Sequence, residues 1–370
     1  MSRRQLSARI FWIPFIKYRR KRYEVGKILK DKKNPNKVKL STAQKKEVKR
    51  FWSKYKQNPI DSIAYYSGGS EGFSEKYISN YLYMTTIDPF FNDPEIAYAW
   101  EDKNLQQKLI KSKTPYTVAR KINGVYLNKE FEPIKKSEFL NIIKNEEEVI
   151  LKVSIGSCSG SGIHFWNSTK DSISNLEMLE SDFDNLVIQR ILKQHKDLAA
   201  IHESSLNTVR VLTINLDEKI QVVSSVVRMG VGDSRIDNCD SGGIVSGIDK
   251  NGCMKNVAYD GNGKRFDIHP QGYDFRGREV PSFEKIIETV KTEHYSFPHS
   301  KIIAWDVSVD ENGAPVIIEA NLSRGSLDFH QYCNGPLFGE NTEYILDLVF
   351  KNNKMLDLPF VGIKRLTGEL

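Results

Sequence analysis

Cysteine is scarce in this sequence, which has four in 370 residues. They lie at Cys158, Cys239, Cys253 and Cys333, without a C-x-x-C pair or a spacing typical of a zinc site. Because disulfide frameworks and structural zinc sites need paired or clustered cysteines, both are excluded as the basis of the fold. Scattered thiols are typical of a reducing compartment, so we expect a cytoplasmic protein.

Long apolar runs are also absent, and no stretch approaches the roughly 20 residues that a transmembrane helix needs. The first residues look like a signal peptide, because basic residues precede the apolar stretch 10–16. That stretch is broken by Pro14, and no small-residue cleavage site follows it. The sequence therefore predicts neither a membrane span nor a cleaved signal.

Acidic residues are nearly missing from the first 57 positions. This segment holds 20 of the 54 Lys/Arg but 3 of the 47 Asp/Glu, so it carries +17 while the remainder carries −10. Four aromatic residues lie among the cations of residues 1–22, namely Phe11, Trp12, Phe15 and Tyr18. Aromatics with cations suit an anionic membrane surface. A solvated arm is the alternative, and nucleic acid is disfavoured because no recognition motif follows.

The stretch 301–327 predicts a β-hairpin that could hold a metal ion. Two apolar strands, Ile302–Val309 and Val316–Ala320, flank the turn signal Asn312-Gly313. Three oxygen-bearing side chains lie on this hairpin: Asp306, Glu319 and Asn321. Because strand side chains alternate between faces, Glu319 and Asn321 point the same way, and pairing can bring Asp306 opposite them. Two carboxylates and a carboxamide suit Mg²⁺, which prefers oxygen ligands. An ordinary polar hairpin is the alternative.

A second motif combines a lysine with a flexible loop. The apolar strand Val149–Ile155 contains Lys152 and leads into Gly156–Gly162, which is rich in Gly and Ser. Backbone N–H groups of such a loop can bind phosphates, and a lysine within an apolar strand needs an anion. The loop lacks the Gly-Lys-Ser/Thr ending of a Walker A motif. We therefore expect a phosphate site of another type.

Periodicity predicts the remaining elements. Helices are expected at 41–55, 100–110, 137–144, 281–292 and 341–350, a hairpin at 117–127, and strands at 186–192, 208–216 and 220–229. Ser41 or Thr42, Ser137 and Ser282 are the expected helix caps.

Two arginines and two long loops complete the candidate site. Arg210 and Arg228 fall on strand positions, where an arginine needs a partner; an ordinary salt bridge is the alternative. The loops 230–247 and 260–277 are polar and glycine-rich, and loops of this length are usually functional. They contain Arg235, Asn238 and His269, which we expect to bind an anionic substrate. The alternative is that these residues brace the loops.

The order of these motifs resembles the ATP-grasp superfamily. N-T-V-R-V-L-T, D-N-C-D-S-G-G-I and I-E-A-N, together with the Asp260…His269-Pro270 stretch, are more closely similar to the sugar-transfer-associated ATP-grasp proteins. The resemblance covers roughly residues 75–340. It implies an α+β fold in which two subdomains clamp ATP.

The resemblance also implies roles for individual residues. Those expected to bind ATP are Lys103 and Lys152 at the phosphates, Gly156, Ser159, Gly160 and Gly162 in the closing loop, and Gln189, Arg190, Ile191 and Leu192 at the adenine. Asp306, Glu319 and Asn321 resemble the magnesium ligands. Many relatives have an arginine two residues before that aspartate, where this chain has Ala304. Arg210 or Arg228 is expected to replace it as a catalytic group.

The implied function is an ATP-dependent carboxylate–amine ligase that modifies a sugar or polysaccharide precursor in capsule or O-antigen assembly. Its partners would be a small carboxylate and amine, with peripheral contact to an anionic membrane. A kinase on the same fold and a non-catalytic membrane-associated subunit are the alternatives. The expected organisation is an arm and helix at 1–57, a helical segment at 58–135, a small subdomain at 136–200 and a large subdomain with the metal site at 201–370.

Overall fold

The computed structural model describes residues 38–156, 162–323, 325 and 327–351. The predicted basic arm, residues 1–22, lies outside the described residues, as do Ser159 and Gly160 of the predicted phosphate loop. No helix of the described part is long and apolar enough to cross a membrane.

The described residues form twelve α-helices, which are labelled in chain order. They are α1 (Thr42–Ser53), α2 (Ile60–Tyr66), α3 (Asn80–Leu82), α4 (Asp88–Phe91), α5 (Pro94–Trp100), α6 (Lys103–Leu109), α7 (Lys136–Lys144), α8 (Ile173–Ser181), α9 (Lys196–Ala199), α10 (Phe283–Glu293), α11 (Leu327–Asn334) and α12 (Thr342–Lys351). A π-helical turn, Tyr83–Ile87, joins α3 to α4. Within the segment 58–135 that was expected to be helical, helices occupy much of residues 60–109, and strands β1 and β2 follow them.

In the part of the chain that the structure describes, twelve strands form two antiparallel sheets. The five-stranded sheet has the order β2-β1-β5-β3-β4, with β1 (Thr117–Ile122), β2 (Val125–Asn128), β3 (Glu148–Val153), β4 (Ile163–Asn167) and β5 (Leu186–Arg190). The seven-stranded sheet has the order β10-β9-β8-β7-β6-β11-β12, with β6 (Thr208–Leu216), β7 (Lys219–Met229), β8 (Ile244–Ile248), β9 (Met254–Asp260), β10 (Arg265–Phe266), β11 (Ile302–Val309) and β12 (Pro315–Asn321). Two sheets with helices confirm the α+β class.

The seven-stranded sheet has an apolar core on each face, because its strands alternate between two buried sides. Val211, Val227 and Trp305 pack on the face covered by α10. Leu212 and Val226 pack on the opposite face, where α11 and the N-terminal helices lie. This second face also carries the polar side chains of the candidate site. They point to the same side of the sheet as Leu212 and Val226.

The five-stranded sheet is covered differently on its two sides. Helix α7 packs its apolar residues against one side and forms the third core. On the other side, Lys152 and Arg120 lie in one row, on either side of Val187 of β5. This side therefore faces α6 and the candidate site. Strands β1 and β2 belong to this sheet, so it begins before the expected small-subdomain boundary at 136.

The predicted helices and strands are present, with differences at their ends. The structure also contains elements that were not predicted, among them α11 and strands β8, β9 and β10. Ser41 caps α1 through a capping box, as predicted. Ser137 does not cap α7, which begins one residue earlier. Ser282 precedes α10 with φ 55°, and its hydroxyl donates to the carbonyl of Gly313 rather than capping the helix. The last four residues of the predicted loop 230–247 belong to strand β8. The predicted helix 100–110 is shorter, because Asp102 caps it and its first residue is Lys103.

Candidate active site

The three oxygen-bearing side chains of the hairpin lie on one face of the sheet. Asp306 of β11 is directly opposite Glu319 of β12, and Ala304 is opposite Asn321. Gly313 in the turn has φ +80°, a conformation that glycine adopts without strain. The Asn321 amide donates to the carbonyl of Ala304 at 3.1 Å and to Asp306 Oδ2 at 3.4 Å. The predicted register of the hairpin is therefore confirmed.

Asp306 is held by two arginines from the neighbouring strands. Arg210 of β6 lies directly across from it and donates from Nε to Oδ1 at 2.7 Å and from Nη2 to Oδ2 at 2.5 Å. Arg228 of β7 donates from Nη1 to both carboxylate oxygens at 3.0 Å. Burial alone would raise the pKa of Asp306, but the two guanidinium groups outweigh it and hold that pKa below its usual range.

Arg228 also contacts a second carboxylate that the sequence analysis did not single out. Its Nη2 donates to Asp237 Oδ1 at 3.0 Å, and the Thr208 hydroxyl donates to Asp237 Oδ2. Burial raises the pKa of Asp237, and the charge of Arg228 opposes that rise. Asp237 begins the D-N-C-D-S-G-G-I motif, which was the one available signal in the sequence.

Helix α6 connects this site to both sheets. Lys103 Nζ lies 3.1 Å from Glu319 Oε1. Gln106 donates to the carbonyl of Ala320 at 2.6 Å and accepts from its N–H at 3.0 Å, and therefore satisfies both backbone groups of that β12 residue. Asn104 donates to the carbonyl of Leu186 in β5 at 3.2 Å. A short helix thus fixes the distance between the β11–β12 hairpin and the five-stranded sheet.

A second carboxylate that the sequence analysis missed supports the end of β12. Glu101 Oε1 accepts from the backbone N–H of Leu322 at 3.0 Å and from the N–H and hydroxyl of Ser323 at 2.8 and 2.9 Å. Burial raises the pKa of Glu101 even though these donors oppose the rise. The contacts fix the chain directly after Asn321.

A narrow cleft lies between α6, β12 and the five-stranded sheet. Lys103, Lys152 and Gln189 line it. Lys152 is buried, and burial together with the charge of Lys103 lowers its pKa to about 8. Gln189 is also buried, and its Oε1 has no hydrogen-bond partner. A buried cation beside an unpartnered carbonyl oxygen indicates a place for a polar, anionic ligand.

The side chains of Asp306, Glu319 and Asn321 fit Mg²⁺ provided that Asp306 releases some of its contacts with the two arginines. Described residues contain no group of three or more His, Cys, Asp and Glu that could hold a metal. Glu319 and Asn321 are partly exposed beside the cleft, and two carboxylates with a carboxamide leave room for water and phosphate ligands. A carboxylate accepts at about four lone-pair positions. The two arginines already make four contacts to Asp306, so it can ligate a cation only by releasing some of them.

The other predicted nucleotide residues that the structure describes are not among the residues that line the cleft. Gly156 and Gly162 flank the undescribed part of the loop, with φ of +74° and +75°. A Cβ on Gly162 would lie 2.5 Å from Cγ2 of Val153, so only glycine fits there without a shift. Arg190 points away, with its guanidinium paired to Glu146 at 2.7 and 2.9 Å. The half-buried Ile191 and Leu192 directly follow β5.

The three predicted substrate residues are not brought together around one cavity. Arg235 donates to Glu148 Oε1 at 2.9 Å and lies 3.7 Å above the Phe165 ring, so it joins its loop to the five-stranded sheet. His269 Nδ1 accepts from the N–H of Gln271 at 3.2 Å, which leaves Nε2–H to donate to the carbonyl of Gly230 at 2.8 Å. The backbone carbonyl of Asn238 accepts from two turn residues. These contacts favour bracing, the alternative stated above.

Ala304, two residues before Asp306, is closely packed against the chain at Gly325. A Cβ on Gly325 would lie 2.8 Å from Cβ of Ala304. Ala304 is also buried, so a longer side chain at this position would have to displace its neighbours. Arg210 and Arg228 bring their guanidinium groups to Asp306 from the two neighbouring strands instead.

Comparison with solved structures finds the following similarities. A D-alanine–D-alanine ligase from Bacillus anthracis is 13% identical with a TM-score of 0.39, over 69% of this chain and 68% of that one. The VanG D-Ala:D-Ser ligase from Enterococcus faecalis is 12% identical with a TM-score of 0.45, over 70% and 64%. A biotin carboxylase from Campylobacter jejuni is 11% identical with a TM-score of 0.45, over 70% and 48%. This chain thus spans about half to two thirds of their length.

No curated protein sequence matches this chain significantly. The family profile described as "Sugar-transfer associated ATP-grasp" matches residues 84–345, which is more than two thirds of the chain. This range contains both sheets and every side chain of the site described above. The resemblance inferred from the sequence is confirmed, and the chain belongs to the sugar-transfer-associated ATP-grasp family.

Proposed function

We propose that this protein is an ATP-dependent carboxylate–amine ligase that forms an amide through an acyl phosphate. The observation that carries the proposal is that Lys103 and Lys152 line one cleft while Lys103 pairs with Glu319. Glu319 lies directly opposite Asp306, which two buried arginines hold. Lysines suit phosphate oxygens, and the arginines suit a carboxylate or an acyl phosphate. Nucleophilic side chains are not required, because the protein's task is to position charges.

The residues would act as follows. Lys103 and Lys152 bind the phosphate oxygens of ATP and neutralise charge on the transferring phosphoryl group. Asp306, Glu319 and Asn321 would hold Mg²⁺, which when bound supplies further positive charge at the β- and γ-phosphates. Arg210 or Arg228 orients the substrate carboxylate, whose oxygen receives the γ-phosphoryl group as ADP leaves. An amine then displaces phosphate from the acyl carbon, a step that requires the site to exclude water.

The substrate class is the finer part of the proposal. Family membership supports a carboxylate carried on a sugar or a polysaccharide precursor, as in capsule or O-antigen assembly. We further propose a cytoplasmic enzyme whose residues 1–22 bind the anionic inner membrane surface, where lipid-linked sugars are built. The first 57 residues carry +17 and the remainder carries −10, which supports binding to an anionic membrane through the N-terminal arm.

The test is a coupled assay of ADP and inorganic phosphate release, in which uronic-acid sugar nucleotides are screened against amino acids and small amines. A ligase releases ADP and phosphate in equal amounts, and only when both a carboxylate and an amine are present. ADP release without phosphate would identify a kinase instead. If no pair of substrates stimulates ADP release and calorimetry detects no binding of ADP with Mg²⁺, the nucleotide assignment is wrong.

A further inference from the structure

The two arginines on Asp306 are not equivalent. Arg228 contacts two carboxylates, because its Nη1 donates to Asp306 while its Nη2 donates to Asp237. Arg210 forms an ion pair with Asp306 and with no other carboxylate of the described residues. Both guanidinium groups are buried, at 8% exposure for Arg210 and 7% for Arg228. Loss of Asp306 would leave Arg228 with a counter-ion and Arg210 without one.

Asp306 cannot keep all its contacts with the two arginines and also bind a metal ion. Its two oxygens take four N–H contacts from the arginines and one longer contact from Asn321, so its lone-pair positions are full. Ligation of a cation by Asp306 requires that some of these contacts break. A buried guanidinium that loses its carboxylate is costly unless another anion takes its place.

We propose that Asp237 is a positioning residue that keeps Arg228 neutralised when Asp306 turns to Mg²⁺, so that Arg210 is the arginine released to bind the substrate carboxylate. This inference rests on the proposed ligase function. The hydroxyl of Thr208 holds Asp237 in place, because it donates to the oxygen that Arg228 does not use. Asp237 would touch neither nucleotide nor substrate and would act through Arg228 alone.

The arrangement predicts an order of binding. Before nucleotide and metal enter, Asp306 occupies Arg210 and the anion site is closed. When Asp306 exchanges partners, Arg210 becomes a buried cation without a counter-ion, and a carboxylate or acyl phosphate is the anion that satisfies it. The carboxylate substrate should therefore bind weakly to the free protein and tightly to the loaded one. Premature binding of the carboxylate would thus be avoided.

The test measures how ADP binding to the full chain depends on Mg²⁺ concentration, by calorimetry. In Asp237→Asn, Asp306 is the only carboxylate left to Arg228, so Asp306 should be harder to release to Mg²⁺. We expect the half-saturating Mg²⁺ concentration to rise about tenfold, which corresponds to the loss of one hydrogen bond to a charged group. Arg228→Gln should lower that concentration. In the double variant Asp237→Asn/Arg228→Gln the Asp237 change should have no further effect, because it acts through Arg228.

The double variant separates this mechanism from a plain charge effect. If removal of the Asp237 charge weakened cation binding directly, its effect would be equally large with and without Arg228, and the proposal would be overturned. Should the single variants fail to fold, Thr208→Val keeps the charge of Asp237 but removes its hydrogen bond, and a smaller rise of the same sign is expected. No rise with Thr208→Val would then count against the proposal.

A matched control changes another ion pair of the same loop. Glu148→Gln removes the partner of Arg235 on the five-stranded sheet without touching Asp306, so the Mg²⁺ dependence should stay that of the parent. Failure of the parent protein to bind ADP with Mg²⁺ would reject the proposed function itself. Normal binding by the parent, together with an unchanged Asp237→Asn variant, would reject the positioning role alone.

Discussion

Asp306 and Arg210 lie directly opposite each other on adjacent strands, and the guanidinium donates to both carboxylate oxygens. The pair lies on the face of the sheet that carries Glu319 and Asn321. The expected metal ligand of the family is therefore also the counter-ion of an expected catalytic arginine. Their shared use of one carboxylate gives this site properties that can be measured.

The first prediction concerns the two carboxylates of the hairpin. Asp306→Asn and Glu319→Gln should each lower turnover by about a hundredfold or more, since each removes charge stabilisation worth several kcal/mol of barrier. ADP release at saturating Mg²⁺ is the measurement. Glu343→Gln is the control. This exposed carboxylate pairs with Lys54, which directly follows helix α1, so the turnover of this variant should equal that of the parent. Parental turnover in both hairpin variants would contradict the site.

The second prediction concerns the ionisation of Lys152. Burial and Lys103 lower its pKa to about 8, so the free protein loses this proton just above neutral pH. Bound phosphate favours the charged form, so nucleotide affinity should be constant below pH 8 and fall by up to about tenfold per pH unit above it. Calorimetry at pH 8.5 in buffers of different ionisation enthalpy should show uptake of about half a proton or more per ADP.

Lys152→Met supplies the control for this proton uptake. It should bind ADP more weakly, with no uptake, while the fold stays intact. Gln189→Glu tests the same environment from the other side, because a carboxylate on the same face of the sheet should raise the pKa of Lys152 and move the fall in affinity to higher pH. A pH profile that is identical in all three proteins would show that Lys152 does not meet the phosphates.

The third prediction concerns the space beside Ala304. Gly325→Ala places a Cβ 2.8 Å from that of Ala304, so the free energy of unfolding should fall by about 1–3 kcal/mol. Combination with Ala304→Gly removes the Cβ of Ala304 and should restore most of the lost stability. The next contact of the new Cβ, Leu212 Cδ1, lies at 3.6 Å, an ordinary van der Waals distance. Urea denaturation measures both effects. Equal stability of the single and double variants would contradict this packing.

The hairpin could be predicted from sequence because its information is local. The Asn312-Gly313 turn fixes the pairing of two apolar strands, and side-chain alternation then places Asp306, Glu319 and Asn321 on one face. Lys103 and Lys152 were identified by their place in the order of motifs, and the cleft brings both together. Family order therefore sufficed for the two lysines of the cleft, and local pattern for the hairpin.

The partners of those groups could not be predicted, because they depend on strand order. Arg210, Arg228 and Asp306 meet since β6 lies between β7 and β11, and no periodicity in the sequence states that order. Asp237 reaches Arg228 from a loop, where side-chain direction follows no fixed period. Helix α11 was missed for a related reason, since its largely buried residues lack the clear polar face that marked α1.

The last prediction decides between binding and bracing for the polar loops. Both ring nitrogens of His269 are used within the protein, so His269→Ala should leave the Gly230 carbonyl and the Gln271 N–H without partners and cost about 1–3 kcal/mol of stability. Its melting temperature should fall while the KM of the acceptor stays the same. Arg235→Gln removes a half-exposed ion pair, and its stability should change by less than about 1 kcal/mol.

The pH dependence of stability adds a second readout for the same histidine. Burial lowers the pKa of His269 below that of the unfolded chain, so the unfolded state binds the proton more readily. This contribution to stability is complete above pH 6.5 and is lost as the pH falls below it. His269→Ala should therefore flatten the acid limb of the stability profile. A raised acceptor KM with unchanged stability would instead place His269 in the substrate pocket.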